Sequence, residues 1–170
     1  YRSFGLPITI LRPFNTFGPR QSLRAAIPTI ISQIVMGKKN IKLGNVKATR
    51  DFTYVSDTVE GYIKTIRNKK CVGETINLGT GSEFSIKKIV ELVSSITKKD
   101  IKIISDKKRI RPKKSEVNRL VSDNTKAKKL LKWKPIYVKE KGFKDGLKKT
   151  IDWFCDKENL KLYKSNLYNL

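Results

Sequence analysis

Short apolar runs alternate along this chain with apolar stripes at helical spacing, and few stretches are unpatterned. Ile8-Thr9-Ile10-Leu11, entered from Gly5-Leu6-Pro7, predicts a buried strand, and the Asn-, Thr-, Gly- and Pro-dense segment from Arg12 to Gln21 predicts a loop after it. Ile27, Ile30, Ile31, Ile34 and Val35 predict a helix, with Pro28 tolerated in its first turn and Gly37 closing it. Ile41-Lys42-Leu43 reads as a strand ending at Gly44, and Asp51 to Val55 alternates like a half-buried strand. Asp57 with Glu60 resembles a capping box, opening a helix whose inward face is expected at Val59, Tyr62, Ile63 and Ile66.

Thr75 to Leu78 is a further strand, closed by Gly79-Thr80-Gly81. Ser85 is placed to cap a helix that turns Ile86, Ile89, Val90 and Val93 inward. Ile101 to Ile104 predicts a strand and Thr125 to Leu131 a short helix, and Phe143, Leu147, Ile151 and Phe154 line a last amphipathic helix. The tail after Asp156 is weakly periodic and is expected to fray. Strands alternating with helices imply α/β architecture. The strands are too few and short for a complete doubly wound sheet, so they are expected to complete one begun elsewhere. The opening Tyr-Arg-Ser-Phe-Gly-Leu-Pro carries neither an initiator Met nor a signal-peptide pattern, and suggests a fragment.

Composition narrows the chemistry. The chain has no histidine, which excludes His-based catalysis and makes a zinc site improbable. Cys71 and Cys155 show no metal-ligand or redox spacing and read as ordinary thiols. No apolar run approaches the length of a membrane span. The net charge of +23 points towards a polyanion. The lysines, however, are spread over every segment (Lys107-Lys108, Lys128-Lys129, Lys148-Lys149), and they flank apolar positions rather than forming one stripe. A basic nucleic-acid-binding module is therefore the weaker reading.

Three loops carry candidate chemistry. Arg12-Pro13-Phe14-Asn15-Thr16-Phe17-Gly18-Pro19-Arg20-Gln21 follows a strand at the position where α/β sheets bind ligands. Read from its residues alone, it is either a structural turn or an anion site with a carboxamide and two guanidinium groups. Thr49 to Asp57 holds Arg50, and Arg109 to Val117 holds Arg109, Arg111 and Glu116 in a Pro-stiffened loop. Each alone is explained as well by solvated surface charge.

In order and content these segments resemble the C-terminal half of extended short-chain dehydrogenases/reductases, the NAD-dependent epimerase/dehydratase family that modifies nucleotide-activated sugars. RPFNTFGPRQ, TRDFTYVSDTVEGY, INLGTG, RPKKSEV and SDNTKAKKLLKWKP carry the resemblance. The phrase RPFNTFGPRQSLRAAIPTIISQI is most similar to 4,6-dehydratases of the legionaminic-acid type. Nucleotide-sugar 4-epimerases and UDP-glucuronate decarboxylases share the scaffold and are the alternatives.

The resemblance implies a fold, the C-terminal part of an extended Rossmann enzyme over residues 1–155, with the last sheet strands, a mixed α/β substrate-binding subdomain and a weakly ordered tail at 156–170. It implies NAD as cofactor, with Pro13 and Phe14 beside the nicotinamide ring. It also implies a nucleotide-sugar substrate. Asn15, Arg50 and Arg111 would hold the diphosphate, Asn77 would lie near it, and Ile27, Lys42, Leu43 and Gly44 would border the base. Glu116 would take the ribose hydroxyls; the family's Arg-Pro-x-acid spacing is stretched by two residues here, and Lys114 is the alternative at that position. The family's Gly-rich turn and catalytic Tyr-x-x-x-Lys pair are not found here and would lie upstream of Tyr1. Tyr137-Val138-Lys139-Glu140-Lys141 is a chance match. For a parent enzyme the resemblance implies oxidation at sugar C4, loss of water across C5 and C6 and reduction at C6. It further implies a cytoplasmic homodimer.

Overall fold

The computed structural model describes residues 1–110, 112–161 and 163. β1 (Ile10–Pro13) leads directly into β2 (Asn15–Phe17), α1 (Ala26–Val35) and β3 (Asn40–Leu43). Next come β4 (Thr49–Tyr54), α2 (Val55–Ile66), β5 (Thr75–Leu78), β6 (Glu83–Ser85), α3 (Ile86–Thr97) and β7 (Lys102–Ser105). A two-residue β8 (Arg119–Leu120), α4 (Thr125–Leu131), α5 (Lys139–Cys155) and α6 (Lys157–Lys161) follow.

Among the described residues the strands form three small sheets. β1 pairs parallel with β5, β3 pairs parallel with β7, and β4 is the hub of the third. β4 takes β2 in parallel along Phe52–Tyr54, while over Thr49–Asp51 it takes β6 antiparallel; β8 pairs in parallel with Thr49 and Arg50. The first half of the loop expected from Arg12 to Gln21 is thus mostly strand, and the rest from Gly18 on is turn and irregular. In that first half the backbone N–H groups find ladder partners on β5 and β4, which outweighs the turn-forming side chains.

Three amphipathic helices make the main core. Ile27, Ile30, Ile31 and Ile34 of α1 meet Ile89, Val90 and Val93 of α3 and Phe143, Leu147, Ile151 and Phe154 of α5, all buried. Phe17 and Phe52 add edge-on aromatic contacts, and Phe84 stacks on Phe143 with centroids 4.2 Å apart. The expected caps hold at two ends. Ser85 Oγ accepts from the Lys88 N–H at 3.0 Å, and Gly37, at φ +83°, closes α1 in a left-handed conformation natural to glycine. A second core surrounds the buried Trp133 with Cys71, Ile76, Leu78, Ala127 and Leu131.

α2 reverses its expected orientation. Val59, Tyr62, Ile63 and Ile66 are exposed, Ile66 by 83%, while Asp57, Thr58, Gly61 and Thr65 are buried. The small side chains let the helix approach β5 closely: a Cβ on Gly61 would lie 2.8 Å from Leu78 Cδ1. Close fit on the small-residue face decides the orientation, and the apolar stripe faces outward.

Asp57 is not a cap either. It is the third residue of α2, and its carboxylate accepts from the Ile136 N–H at 3.1 Å and the Tyr137 N–H at 2.9 Å, tying the segment after α4 to α2. Burial pushes its carboxyl above the ordinary value, against the lowering pull of those two N–H groups. The folded form therefore binds a proton at pH values where the unfolded carboxyl, near about 3.9, has lost its own. This contribution to stability is greatest at low pH and falls as pH rises above about 4, levelling once the folded carboxyl is also ionised. Urea midpoints measured from pH 3.5 upward should show that decline in the wild type minus Asp57→Asn difference; a flat difference would refute it.

The tail differs from expectation in part. Lys157–Lys161 forms the short α6, and the remaining positions of the 156–170 tail other than Asp156 and Tyr163 lie outside the described residues. No helix among the described residues is long and apolar enough to cross a membrane.

Candidate functional site

β4 enters the site at its N-terminal end, where Arg50 precedes the buried Asp51. Asp51 is fully buried and accepts from the Thr80 N–H and hydroxyl, the Gly81 N–H and the Ser122 N–H, at 2.7 to 3.1 Å. It thereby fixes the Gly79–Gly81 turn and the residues after β8 around one strand. Arg50 points the other way, with Nη1 donating to the Thr49 carbonyl at 2.8 Å and Nη2 3.3 Å from Glu116 Oε1. Both side chains of this ion pair are about 15% exposed.

A groove of about 620 Å³ opens beside this pair. One wall is Asn15 and Thr16 of β2 with the start of α1, and the other is Leu43, Gly44 and Asn45 after β3. Arg50 and Phe52 line it from β4, and Arg109, Glu116 and Val117 from the loop after β7. A neighbouring hollow of about 550 Å³ shares Gly44, Asn45 and Glu116 and adds Val46, Ile110 and Asn118. Gly44 permits the close approach of the two loops: a Cβ there would collide with the Arg109 carbonyl.

The charge balance suits an anion. Among the described lining residues there are three guanidinium groups, Arg24, Arg50 and Arg109, to the single carboxylate of Glu116. Arg109 is paired with Asp106 at 3.2 Å. Arg24 is exposed, and no hydrogen bond or ion pair of its side chain is found among the described residues. α1 begins at the groove without a side-chain cap or an acidic first turn, so its positive end adds to the potential. The amide nitrogen of Gln21 donates to the Thr16 carbonyl at 2.6 Å, and its buried Oε1 has no partner among the described residues. Asn15 donates to the Asp51 carbonyl at 3.0 Å, which fixes its carboxamide at the groove wall.

Of the residues singled out from sequence, Asn15, Ile27, Leu43, Gly44, Arg50 and Glu116 meet in this groove. Lys42 does not. Alternation along β3 buries Ile41 and Leu43 and turns Lys42 out, and its backbone is held by Gln33 from both sides. Asn77 lies on β5 and donates to the Asp123 carbonyl at 3.2 Å, apart from the groove lining. Pro13 ends β1 and Phe14 follows it with its N–H bonded to the Leu78 carbonyl; neither lines the groove. Arg111 lies outside the described residues. Arg12 and Arg20, the two guanidinium groups of the first loop, are exposed away from the groove.

Sequence reasoning missed Gln21, Arg24, Asn45 and Phe52 as lining residues. Arg24 offered no local pattern, standing alone between Leu23 and Ala25. Tyr137 is paired with Lys149, whose Nζ is 2.5 Å from the phenol oxygen.

Comparison with known proteins follows the same outline. The family model for GDP-mannose 4,6 dehydratase matches residues 1–149. The chain is 35% identical over 164 residues to a UDP-N-acetyl-alpha-D-glucosaminuronate decarboxylase of Bacillus cytotoxicus, covering 94% of this chain and 50% of that protein. It is 30% identical over 168 residues to a dTDP-glucose 4,6-dehydratase of Xanthomonas campestris, covering 91% of this chain and 44% of that protein. Among solved structures it resembles the UDP-glucuronic acid 4-epimerase of Bacillus cereus in complex with UDP-glucuronic acid and NAD. That match has a TM-score of 0.79 at 30% identity, over 95% of this chain and 48% of the epimerase. The chain spans about half the length of the curated relatives it matches.

Proposed function

We propose, from the premise that this chain belongs to the GDP-mannose 4,6 dehydratase family, that it is the substrate-binding half of an NAD-dependent enzyme acting on a nucleotide sugar. The observation that carries this is the groove lined by Arg24, Arg50 and Glu116. Guanidinium groups suit a diphosphate, and a carboxylate suits a ribose diol. Asn15 adds a fixed carboxamide, and Leu43, Gly44 and Ile27 give the apolar border that a base requires.

The finer reading is a 4,6-dehydratase yielding a 4-keto-6-deoxy sugar nucleotide, supported by the RPFNTFGPRQSLRAAIPTIISQI segment and its resemblance to the legionaminic-acid type. Epimerase and decarboxylase relatives of equal or higher identity support a second reading, 4-epimerisation or decarboxylation. Products formed by the whole enzyme from candidate nucleotide sugars separate the two.

The cofactor-binding half is proposed to come from outside this chain. β1 is paired only with β5 among the described residues, and Leu6, Ile8 and Ile10 near it are exposed, as is the apolar stripe of α2. Pro13 and Phe14, at the exposed end of β1, fit one border of a nicotinamide ring and no more. When bound, the cofactor supplies reversible hydride transfer. The residues here grip and orient the substrate.

Calorimetric titration of this chain with UDP, dTDP and GDP tests the reading. At least one is expected to bind, with about a hundredfold loss in Arg50→Ala. No turnover of nucleotide sugars is expected from the chain alone. The absence of nucleotide binding, or an Arg50→Ala variant that binds as well as wild type, would count against the reading.

A further inference from the structure

The two groups assigned to substrate are bonded to each other. Arg50 Nη2 lies 3.3 Å from Glu116 Oε1, the pair is largely shielded, and both residues line the groove. Arg50 also donates from Nη1 to the Thr49 carbonyl, so both of its Nη groups are engaged with protein acceptors. Resting on the function proposed above, we infer that substrate binding proceeds by exchange: the diphosphate displaces Glu116 from Arg50, and the released carboxylate turns to the ribose diol.

The argument is one of counting partners. A guanidinium clamps an anionic oxygen pair best when its fork is open, and a carboxylate accepts from a diol best when no cation competes for its lone pairs. While the pair is closed, Glu116 competes with a phosphate for Arg50 Nη2, and Arg50 competes with a diol for Glu116 Oε1. The two changes are therefore coupled, each phosphate contact on Arg50 freeing an acceptor for the sugar. Arg24, on the α1 side of the groove and without a side-chain partner among the described residues, is the cation open to the first encounter. A ligand with both diphosphate and diol recovers the cost of opening the pair twice. A bare diphosphate recovers it once, and a nucleoside without phosphates cannot open it at all.

This predicts a discrimination that independent Arg and Glu contacts would not give. Titration calorimetry with inorganic pyrophosphate, UDP (or GDP, where it binds tighter) and the 2′,3′-dideoxy form of the same nucleotide reads it out. In Glu116→Gln, pyrophosphate should bind about 3- to 10-fold tighter than in wild type, because its competitor for Arg50 is weakened. That gain should vanish when Glu116→Gln is made on an Arg50→Ala background, or on Arg50→Gln should the alanine variant fail to fold. Removing the diol should weaken nucleotide binding about tenfold in wild type and clearly less in Glu116→Gln.

A pyrophosphate gain that persists without Arg50 would show only relief of negative charge and would overturn the exchange. So would unchanged pyrophosphate affinity in Glu116→Gln alongside normal nucleotide binding. Wild-type chain that binds none of these ligands would instead overturn the function proposed above, a result distinct from both.

Discussion

Asp51→Ala is expected to destabilise the chain by about 3–5 kcal/mol, a loss comparable with the whole stability of a small domain. The carboxylate is fully buried and forms no ion pair among the described residues, where hydrogen-bond donors surround it instead. Oδ1 accepts from the N–H and hydroxyl of Thr80, and Oδ2 from the N–H groups of Gly81 and Ser122. Alanine would leave three N–H groups without their acceptor, with the Ser122 N–H fully buried and those of Thr80 and Gly81 only partly so. Asparagine keeps the shape but turns an NH₂ towards two of those donors, so it should rescue little. Chemical denaturation followed by circular dichroism measures this, and a loss below about 1 kcal/mol for alanine would show that the turn does not depend on Asp51.

Trp133→Ala should cost a similar amount, about 3–5 kcal/mol. Trp133 is fully buried at the centre of the second core, and its Nε1 donates to the Asp57 carbonyl at 2.9 Å. Cys71, Ile76, Leu78, Ala127 and Leu131 would then surround a cavity too large to collapse. Trp133→Phe fills most of the space and removes only the donor, so its loss should be clearly smaller. The ranking of the two variants by urea midpoint is the check. Equal losses would mean that the hydrogen bond, and not the volume, holds this region.

Where side-chain periodicity and burial coincide, the sequence was readable. α1, α3 and α5 follow their isoleucine, valine and phenylalanine stripes because those stripes are what the core buries. α2 was read the wrong way round because its apolar stripe is exposed and Thr58, Gly61 and Thr65 do the packing. Closeness of approach, which no periodicity count records, outweighed side-chain hydrophobicity there. β6 and β8 escaped because three- and two-residue strands carry no alternation to detect; they exist through the partner that β4 offers.

The site was legible in the same uneven way. Asn15, Arg50 and Glu116 stood out through their loops, and Leu43 with Gly44 through the strand end, and all of them line one groove. Lys42 was included because its neighbours were; strand alternation then separates it from Leu43. Asp51 and Asp57 read as pattern and cap, yet both are buried anchors for backbone N–H groups far along the chain. Their donors, at Ser122 and at Ile136 and Tyr137, are more than 70 residues away, a distance over which local pattern says nothing.

The neighbours Arg50 and Asp51 point to opposite sides of β4, one into the groove and one into the interior. One inserted or deleted residue in this strand would exchange their sides. The groove would then receive a carboxylate in place of its cation, and the interior a guanidinium where four donors already converge. Ligand binding and folding would fail together. A groove of different lining would therefore have to arise by replacement of side chains or by changes in loop length around β4, because the spacing within that strand is closed to variation.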